Sequence, residues 1–324
     1  MFGMKRLVLL SLLAIAGALT LSPSSFAQSW PQRTIRAIVP FPPGSSPDIA
    51  ARVFAERLAA RWGQAVVVEN LTGADGLSGT ATFAATRDDH ALLIAPAAPI
   101  AVYPLLQEKL SYDPVRDIVP VAAITNTFGA IAVPTSLQVM TLPELVEYVR
   151  ARPGKLNWAT GGGAFPVLMS GFIKAAGLDI TQIPYRNQNH AIQDLAEARI
   201  HLFATAMTAL LPLTQAGKIR ILAVTNKARA AFWPDIPTVA ESGYPDFTFE
   251  GLIGVFAPRG TPDDRRNRIA TEIRQIAADQ AMDQRLRTAG QLLRPNTPAE
   301  FAAAIEEQRS KLAAIIQAVG KSTN

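Results

Sequence analysis

The feature that most constrains this chain is an alternation of short apolar β runs with segments of helical periodicity. Ile35-Arg36-Ala37-Ile38-Val39 reads as a strand and ends in a Pro/Gly/Ser turn. Ala50, Phe54, Leu58 and Trp62 then recur at every fourth position, with Ile49 and Val53 beside them, which marks one face of a helix. Val66-Val67-Val68 is a second strand, the glycine-rich turn Gly73 to Gly79 leads into a short helix, and Leu92-Leu93-Ile94 is a third strand. A βαβαβ order predicts a parallel sheet with helices on both faces, hence an α/β fold.

The middle of the chain repeats the theme. Two apolar runs flank Asn126-Thr127 between Val121 and Val133, and Thr141-Leu142-Pro143-Glu144 has the spacing of a capping box for a helix through Val149. Leu156 to Ala159 reads as a strand entering the triple glycine Gly161-Gly162-Gly163, and a helix from about Pro166 stops at Gly177. Ile183-Pro184-Tyr185 is expected as a strand, followed by a helix over 190–197 and strands over 200–205 and 219–224. The strand Ile253 to Ala257 is expected to return to the first unit, and two helices, from Thr261-Pro262 and from the capping box Thr297-Pro298-Ala299-Glu300, close the chain. This pattern predicts lobe 1 over 28–122 plus 251–324 and lobe 2 over 123–250. The 324 residues, 49% apolar and 18% charged, are enough for two such cores.

The amino terminus carries its own signal. Lys5 and Arg6 precede the uncharged apolar run Leu7 to Leu19, and Ser25-Phe26-Ala27 offers small residues where a signal peptidase reads. Residues 1–27 are therefore expected to be a cleaved secretory signal, since the run is shorter than the roughly 20 residues of a membrane span. The expected location is periplasmic. Processing would lower Lys plus Arg from 31 to 29 against 26 acidic residues, a formal charge of +3. No basic run accompanies this excess, so no nucleic-acid partner is expected; Arg265, Arg266 and Arg268 read as a solvated helix face.

Catalytic and metal sets are sparse. The chain has no Cys, which excludes thiolate catalysis, zinc–thiolate sites and iron–sulfur clusters. His90, His190 and His201 are its only histidines, too few for a multi-histidine metal site. Asp88-Asp89-His90 reads as a solvated connection, and His201 as a structural histidine. There is no G-x-S-x-G elbow, no H-E-x-x-H pair and no nucleotide-binding glycine motif. Neither an enzyme nor a cofactor nor a metal is expected.

Three strand-to-helix turns are candidates for ligand contact, because ligands of open α/β sheets bind beyond the carboxyl ends of the strands and helix N-termini attract anions. The first is Pro40 to Asp48, with Phe41, Pro42, Gly44, Ser45, Ser46 and Asp48 as candidates; Ser46 reads as the helix N-cap, and the alternative is that the turn only caps its own helix. The second is Thr160, Gly161, Gly162 and Gly163, an anion cradle or simply a flexible loop. The third is Tyr185, Arg186, Asn187, Gln188, Asn189 and His190. There Arg186 could pair with a carboxylate, Asn189 could cap the next helix, and the alternative is a solvated loop.

At the first of these turns the chain begins to resemble a known family. Ile38-Val39-Pro40-Phe41-Pro42-Pro43-Gly44 with Asp48 and Ala51-Arg52, then Val67-Val68-Glu69-Asn70 with Gly73-Ala74 and Gly76, Pro184-Tyr185 with Asp194-Leu195, Ala216 to Arg220, Leu222 to Thr225, Pro234 to Gly243, Ala257-Pro258 and Gly260-Thr261-Pro262 resemble the Bug-type extracytoplasmic solute receptors of tripartite tricarboxylate transporters. The resemblance runs over roughly residues 31 to 315. It implies a two-lobed periplasmic-binding-protein (Venus flytrap) fold, type II-like, with mostly parallel sheets. It also implies a monomer that closes on a small carboxylate and delivers it to integral-membrane transporter subunits, with the carboxylate held by backbone N–H groups and hydroxyls of the first and third turns. A ligand sensor on the same fold is the alternative, and an enzyme on that scaffold a lesser one. The chain departs from the family pattern at Pro47, at Leu71-Thr72, and at Asn187-Gln188, where the family has two glycines; that last change predicts a pocket for a ligand with an additional polar group.

Overall fold

The computed structural model describes residues 30–107, 109–185 and 187–320. The expected signal segment 1–27 and Arg186 lie outside these. The compact unit that carries every element below begins at Thr34.

In chain order the elements are β1 (Ile35–Val39), α1 (Ser46–Trp62), β2 (Val66–Asn70), α2 (Leu77–Ala85), β3 (Ala91–Pro96), the single turns α3 (Ala98–Ala101) and α4 (Tyr103–Leu106), and β4 (Ile118–Thr127). Then come β5 (Gly129–Pro134), α5 (Leu142–Arg150), β6 (Asn157–Thr160), α6 (Phe165–Ala175), β7 (Thr181–Gln182), α7 (Gln188–Ala196), β8 (Leu202–Ala206), α8 (Met207–Gln215) and β9 (Ile219–Val224). Finally come β10 (Gly251–Pro258), α9 (Asp263–Ile276), α10 (Gln280–Thr288), β11 (Gln291–Leu293) and α11 (Pro298–Val319).

Two sheets result, ordered β11-β4-β10-β3-β1-β2 and β7-β6-β8-β5-β9. In each, three strands pair in parallel: β2-β1-β3 in the first and β7-β6-β8 in the second. A reversed strand follows, β10 in the first and β5 in the second, antiparallel to both its neighbours. Most strands thus share one direction, as expected, but the sheets are mixed. The reversed strand has a simple origin. The chain leaves β4 at Thr127 and starts β5 at Gly129, so β5 begins where β4 ends and must run away from the crossing. β10 enters the first sheet after the return crossing and is reversed in the same way.

The registers fix where the turns fall. Gly129, the first residue of β5, lies opposite Ala206, the last of β8, and Ala130 lies opposite Val224, the last of β9. Thr127, the last of β4, lies opposite Gly251, the first of β10. The carboxyl ends of both parallel sets therefore point to the crossing level, and the turns after β1, β2 and β6 gather there with the start of α8.

Packing follows the pleat. On β5, Ile131 and Val133 face a core with α5 and α6 that includes Trp158 and Phe172, whereas Ala130 and Ala132 face Phe203, Leu195 and Leu210 on the other side. The first sheet buries Leu93, Phe256 and Phe301 in one cluster. Helix ends are chemically specified. Gly63, at φ 64°, closes α1 by donating its N–H to the Ala59 carbonyl. The box at α11 is complete: the Thr297 hydroxyl accepts from the Glu300 N–H, and the Glu300 carboxylate accepts from the Thr297 N–H. At α5 it is half formed, because the Glu144 carboxylate takes the Met140 N–H instead.

Several expectations need correction. Ile183-Pro184-Tyr185 is not a strand. The Ile183 N–H makes a bond to Trp158, and Pro184 then has no N–H to continue the ladder, so the strand is the preceding pair Thr181–Gln182. The N-cap of α1 is Ser45, not Ser46, and that of α7 is Asn187, not Asn189. Arg265, Arg266 and Arg268 are not a purely solvated face, since they pair with Asp89, Asp263 and Glu272. No helix of the described residues is long and apolar enough to cross a membrane.

Candidate functional site

The first turn is built around a buried carboxylate. Asp48 is 2% exposed. Its Oδ2 accepts from the Gly44 N–H at 2.8 Å and Arg52 Nε at 3.0 Å, and its Oδ1 accepts from Asn70 Nδ2 at 2.9 Å. Burial disfavours its charge, but the bonds from Arg52, the Gly44 N–H and the Asn70 amide outweigh this and hold the carboxyl below its usual range. Asn70 also donates to the Phe41 carbonyl at 2.9 Å, so the end of β2 pins the turn after β1. Gly44 sits at φ 79°, a conformation its neighbours could not adopt cheaply. Asp48 is therefore a framework residue, and it leaves the turn rigid.

What this turn presents is narrower than the sequence suggests. Ser45 spends both its N–H and its hydroxyl on the Pro42 carbonyl, at 3.2 and 2.6 Å. Ser46 reaches across to the other sheet: its Oγ lies 2.7 Å from Thr208 Oγ1, at the start of α8, while its carbonyl accepts from Gln291 of β11 at 3.0 Å. The first-turn N–H groups of Ser46 and Asp48 have no acceptor within α1. They are the donors this turn can offer.

The second turn is filled from across the cleft. The Asp75 carboxylate, from the segment after β2, accepts the Gly163 N–H at 2.9 Å and the Tyr103 hydroxyl at 2.5 Å, both on Oδ2. A Cβ at Gly162 would fall 1.9 Å from that oxygen, so glycine is what lets the carboxylate sit there. Burial, and then the Asp75 charge, push the Tyr103 phenol far above its ordinary range, so it remains a donor. Asp75 was not singled out by sequence; it stands in a left-handed conformation at φ 54°, and its partners lie 28 and 88 residues away.

The third turn divides. Asn187 caps α7, its Oδ1 accepting from the Asn189 N–H at 2.9 Å. Tyr185 donates to Asp194 at 2.6 Å, and burial followed by that carboxylate raises its phenol to about 12. Gln188 instead turns toward the second turn: its Oε1 accepts from Thr205 at 3.0 Å and lies 2.8 Å from where a Gly161 side chain would begin. Asn189 and His190 are exposed. Of the sequence candidates, those brought to face the crossing by a contact are Ser46, Gly161, Gly162, Gly163 and Gln188, joined by Asp75, Thr205 and Thr208.

The crossing itself is a buried polar knot. Asn226, 2% exposed, accepts the Gly129 N–H at 3.3 Å and donates to the Thr127 carbonyl at 3.2 Å. Thr225 donates to the Phe249 carbonyl at 2.8 Å, and Thr127 to the Gly251 carbonyl at 3.0 Å. The two connecting segments are thereby tied to each other. Among the described residues Asp88, Asp89 and His90 offer ligand atoms within 4.8 Å of one another. Asp89, however, is engaged by His90 and Arg265 at 2.6 and 2.7 Å. His201 bonds Asn157 at 3.0 Å, and burial lowers its pKa.

The family model described as "Tripartite tricarboxylate transporter family receptor" matches residues 50–321. The protein BugT of Bordetella pertussis is 35% identical over 263 residues, 80% of each chain. Among solved structures, R. palustris Rpa4515 with adipate has a TM-score of 0.83 at 29% identity, covering 90% of this chain and 99% of that one. MatC from Rhodopseudomonas palustris with bound malate has a TM-score of 0.78 at 27% identity, covering 89% and 100%. The shared fold is that of periplasmic binding proteins.

Proposed function

The chain belongs to the tripartite tricarboxylate transporter receptor family, and from that premise we propose that it captures a small carboxylate in the periplasm, between two lobes built on its two sheets, and hands it to a membrane carrier. The observation that carries the reading is convergence: the turns at the carboxyl ends of both sheets meet at one level, and the start of α1 brings unspent N–H groups there. Adipate and malate in the two R. palustris structures support the ligand class. Residues 1–27 act as a secretory signal removed on export, and the mature receptor works as a monomer without catalysing a reaction. The carboxylate is held at the first turn by the Ser46 and Asp48 N–H groups. Gln188 and Thr205 supply polar contacts from the second lobe, and Arg186 adds its charge. Closure turns on the knot around Asn226.

The test is mass spectrometry of ligand released from gently purified, exported protein, followed by calorimetric titration and small-angle scattering with the compound found. A carboxylic acid that saturates the protein and does not lengthen it is expected. A ligand without a carboxylate, or turnover of the ligand to product, would sink the reading.

A further inference from the structure

Asp75 puts a carboxylate against the second turn, at the head of α6. It bridges the two sheets by accepting the Gly163 N–H at the head of α6, and it is fixed from below by the buried Tyr103 hydroxyl. The Gly162 backbone lies so close that any side chain there would have to push the Asp75 carboxylate aside. Both hydrogen bonds fall on Oδ2. Oδ1 lies beside the Gly162 backbone and has no hydrogen-bond partner among the described residues, and Asp75 is an exposed residue, so Oδ1 keeps its acceptor capacity. The second turn is thus not a vacant anion cradle. Its Gly163 N–H is already taken by the protein's own anion, and beside that N–H stands an acceptor bearing negative charge.

We propose that Asp75 is a specificity-determining residue that makes this receptor select ligands with one carboxylate and, at the far end, a cationic or hydrogen-bond-donating group, against dicarboxylates. The inference rests on the carboxylate-receptor reading above and deepens it. A dicarboxylate spanning the cleft meets Asp75 as a like charge and finds the Gly163 donor occupied; an amine or hydroxyl meets the open Oδ1 as an acceptor. The charge sits in a partly wet cleft, so the discrimination is moderate rather than absolute.

A chain-matched series reads this out: 6-aminohexanoate, hexanoate and adipate, which differ only in the group at one end. Each is titrated by calorimetry against the full exported protein and against Asp75→Asn. Asparagine tolerates the left-handed backbone of this position and still offers an acceptor to Gly163 and Tyr103, so the variant keeps the shape and loses the charge. The wild type is expected to bind the three in the order written, with about ten-fold or more between the ends of the series, and Asp75→Asn to compress that span to about three-fold or less. Adipate binding the wild type as tightly as hexanoate, with the ratio unmoved in Asp75→Asn, overturns the assignment. If no probe binds the wild type, the carboxylate reading fails first, and the co-purifying ligand decides for Asp75: a second anionic group near its far end overturns the proposal, and an amine or hydroxyl there upholds it.

Discussion

Replacing Asn226 by alanine should loosen the point on which both lobes depend. The side chain is buried, and it serves two backbone groups of the crossing, the Gly129 N–H and the Thr127 carbonyl. Truncation leaves these without their side-chain partner. An unsatisfied buried group costs about 1–3 kcal/mol. At 3.3 and 3.2 Å both contacts are at the long end of the hydrogen-bond range, which places the total nearer ~2 kcal/mol than the sum of two maxima. For a chain of this size that corresponds to a fall of roughly 4 °C in Tm, since 1 kcal/mol moves a large domain by only about 2–4 °C. The assay is urea unfolding followed by circular dichroism, at matched m-values, with Asn226→Asp beside it. The aspartate keeps an acceptor for Gly129 and loses the donor to Thr127, and should fall between the wild type and the alanine variant or below both if its charge stays buried. A loss under about 0.5 kcal/mol in Asn226→Ala would refute the claim that this amide ties the crossing, on the ordinary scatter of surface substitutions.

Asp48 carries a pH dependence. Its folded pKa is depressed, so its contribution is present above the unfolded value and is lost as pH falls through the folded one; the wild type should lose stability on acidification below about pH 4 more steeply than Asp48→Asn, read from urea midpoints at stepped pH. Gly254→Ala would set a methyl 2.0 Å from the buried Phe301 ring and 2.9 Å from the Ala122 carbonyl, and should cost about 1–3 kcal/mol or more in the same unfolding assay; an unchanged midpoint would mean the ring has room to move. Ser46→Pro removes an N–H, a hydroxyl and the contact to Thr208 together, and should weaken carboxylate binding about ten-fold, at roughly 1.5–3 kcal/mol per hydrogen bond to a charge, in a protein that still folds; equal affinity would move the site away from this turn.

How far the sequence could be read depended on how local the determining chemistry was. The strands β1, β3, β9 and β10 and the helices α1 and α11 were legible because each carries its own periodicity and its own caps: Gly63 for α1 and Thr297 with Glu300 for α11. β7 was misplaced by two residues because apolar content at Ile183 and Tyr185 outweighed the one fact that Pro184 cannot donate. α8 was missed because it follows β8 without a turn and contains Pro212, which argues against a helix by local rules. α10 was missed because its strongest signal, Asp279 capping Ala281 and Met282, follows directly on the helix before it.

The candidate site divides on the same line. The three turns could be found, since a strand followed by Gly, Pro and Ser and then a helix is a local pattern. What each residue does in them could not. Ser45 and Asn187 have the chemistry of ligand donors, yet each satisfies its own backbone, and Asp48 has the chemistry of a ligand contact, yet it is spent on Gly44, Arg52 and Asn70. The converse case is Asp75. It lies in a turn noted only for its glycines, and nothing in the neighbouring residues separates it from a solvated acid. Its role is set by Tyr103 and Gly163, which the fold brings to it from two different sheets' connections. The glycine run at 161–163 reads in sequence as an anion cradle or a flexible loop, and the anion that meets it belongs to the protein. A pattern can therefore announce the chemistry of a site without saying which molecule supplies its other half.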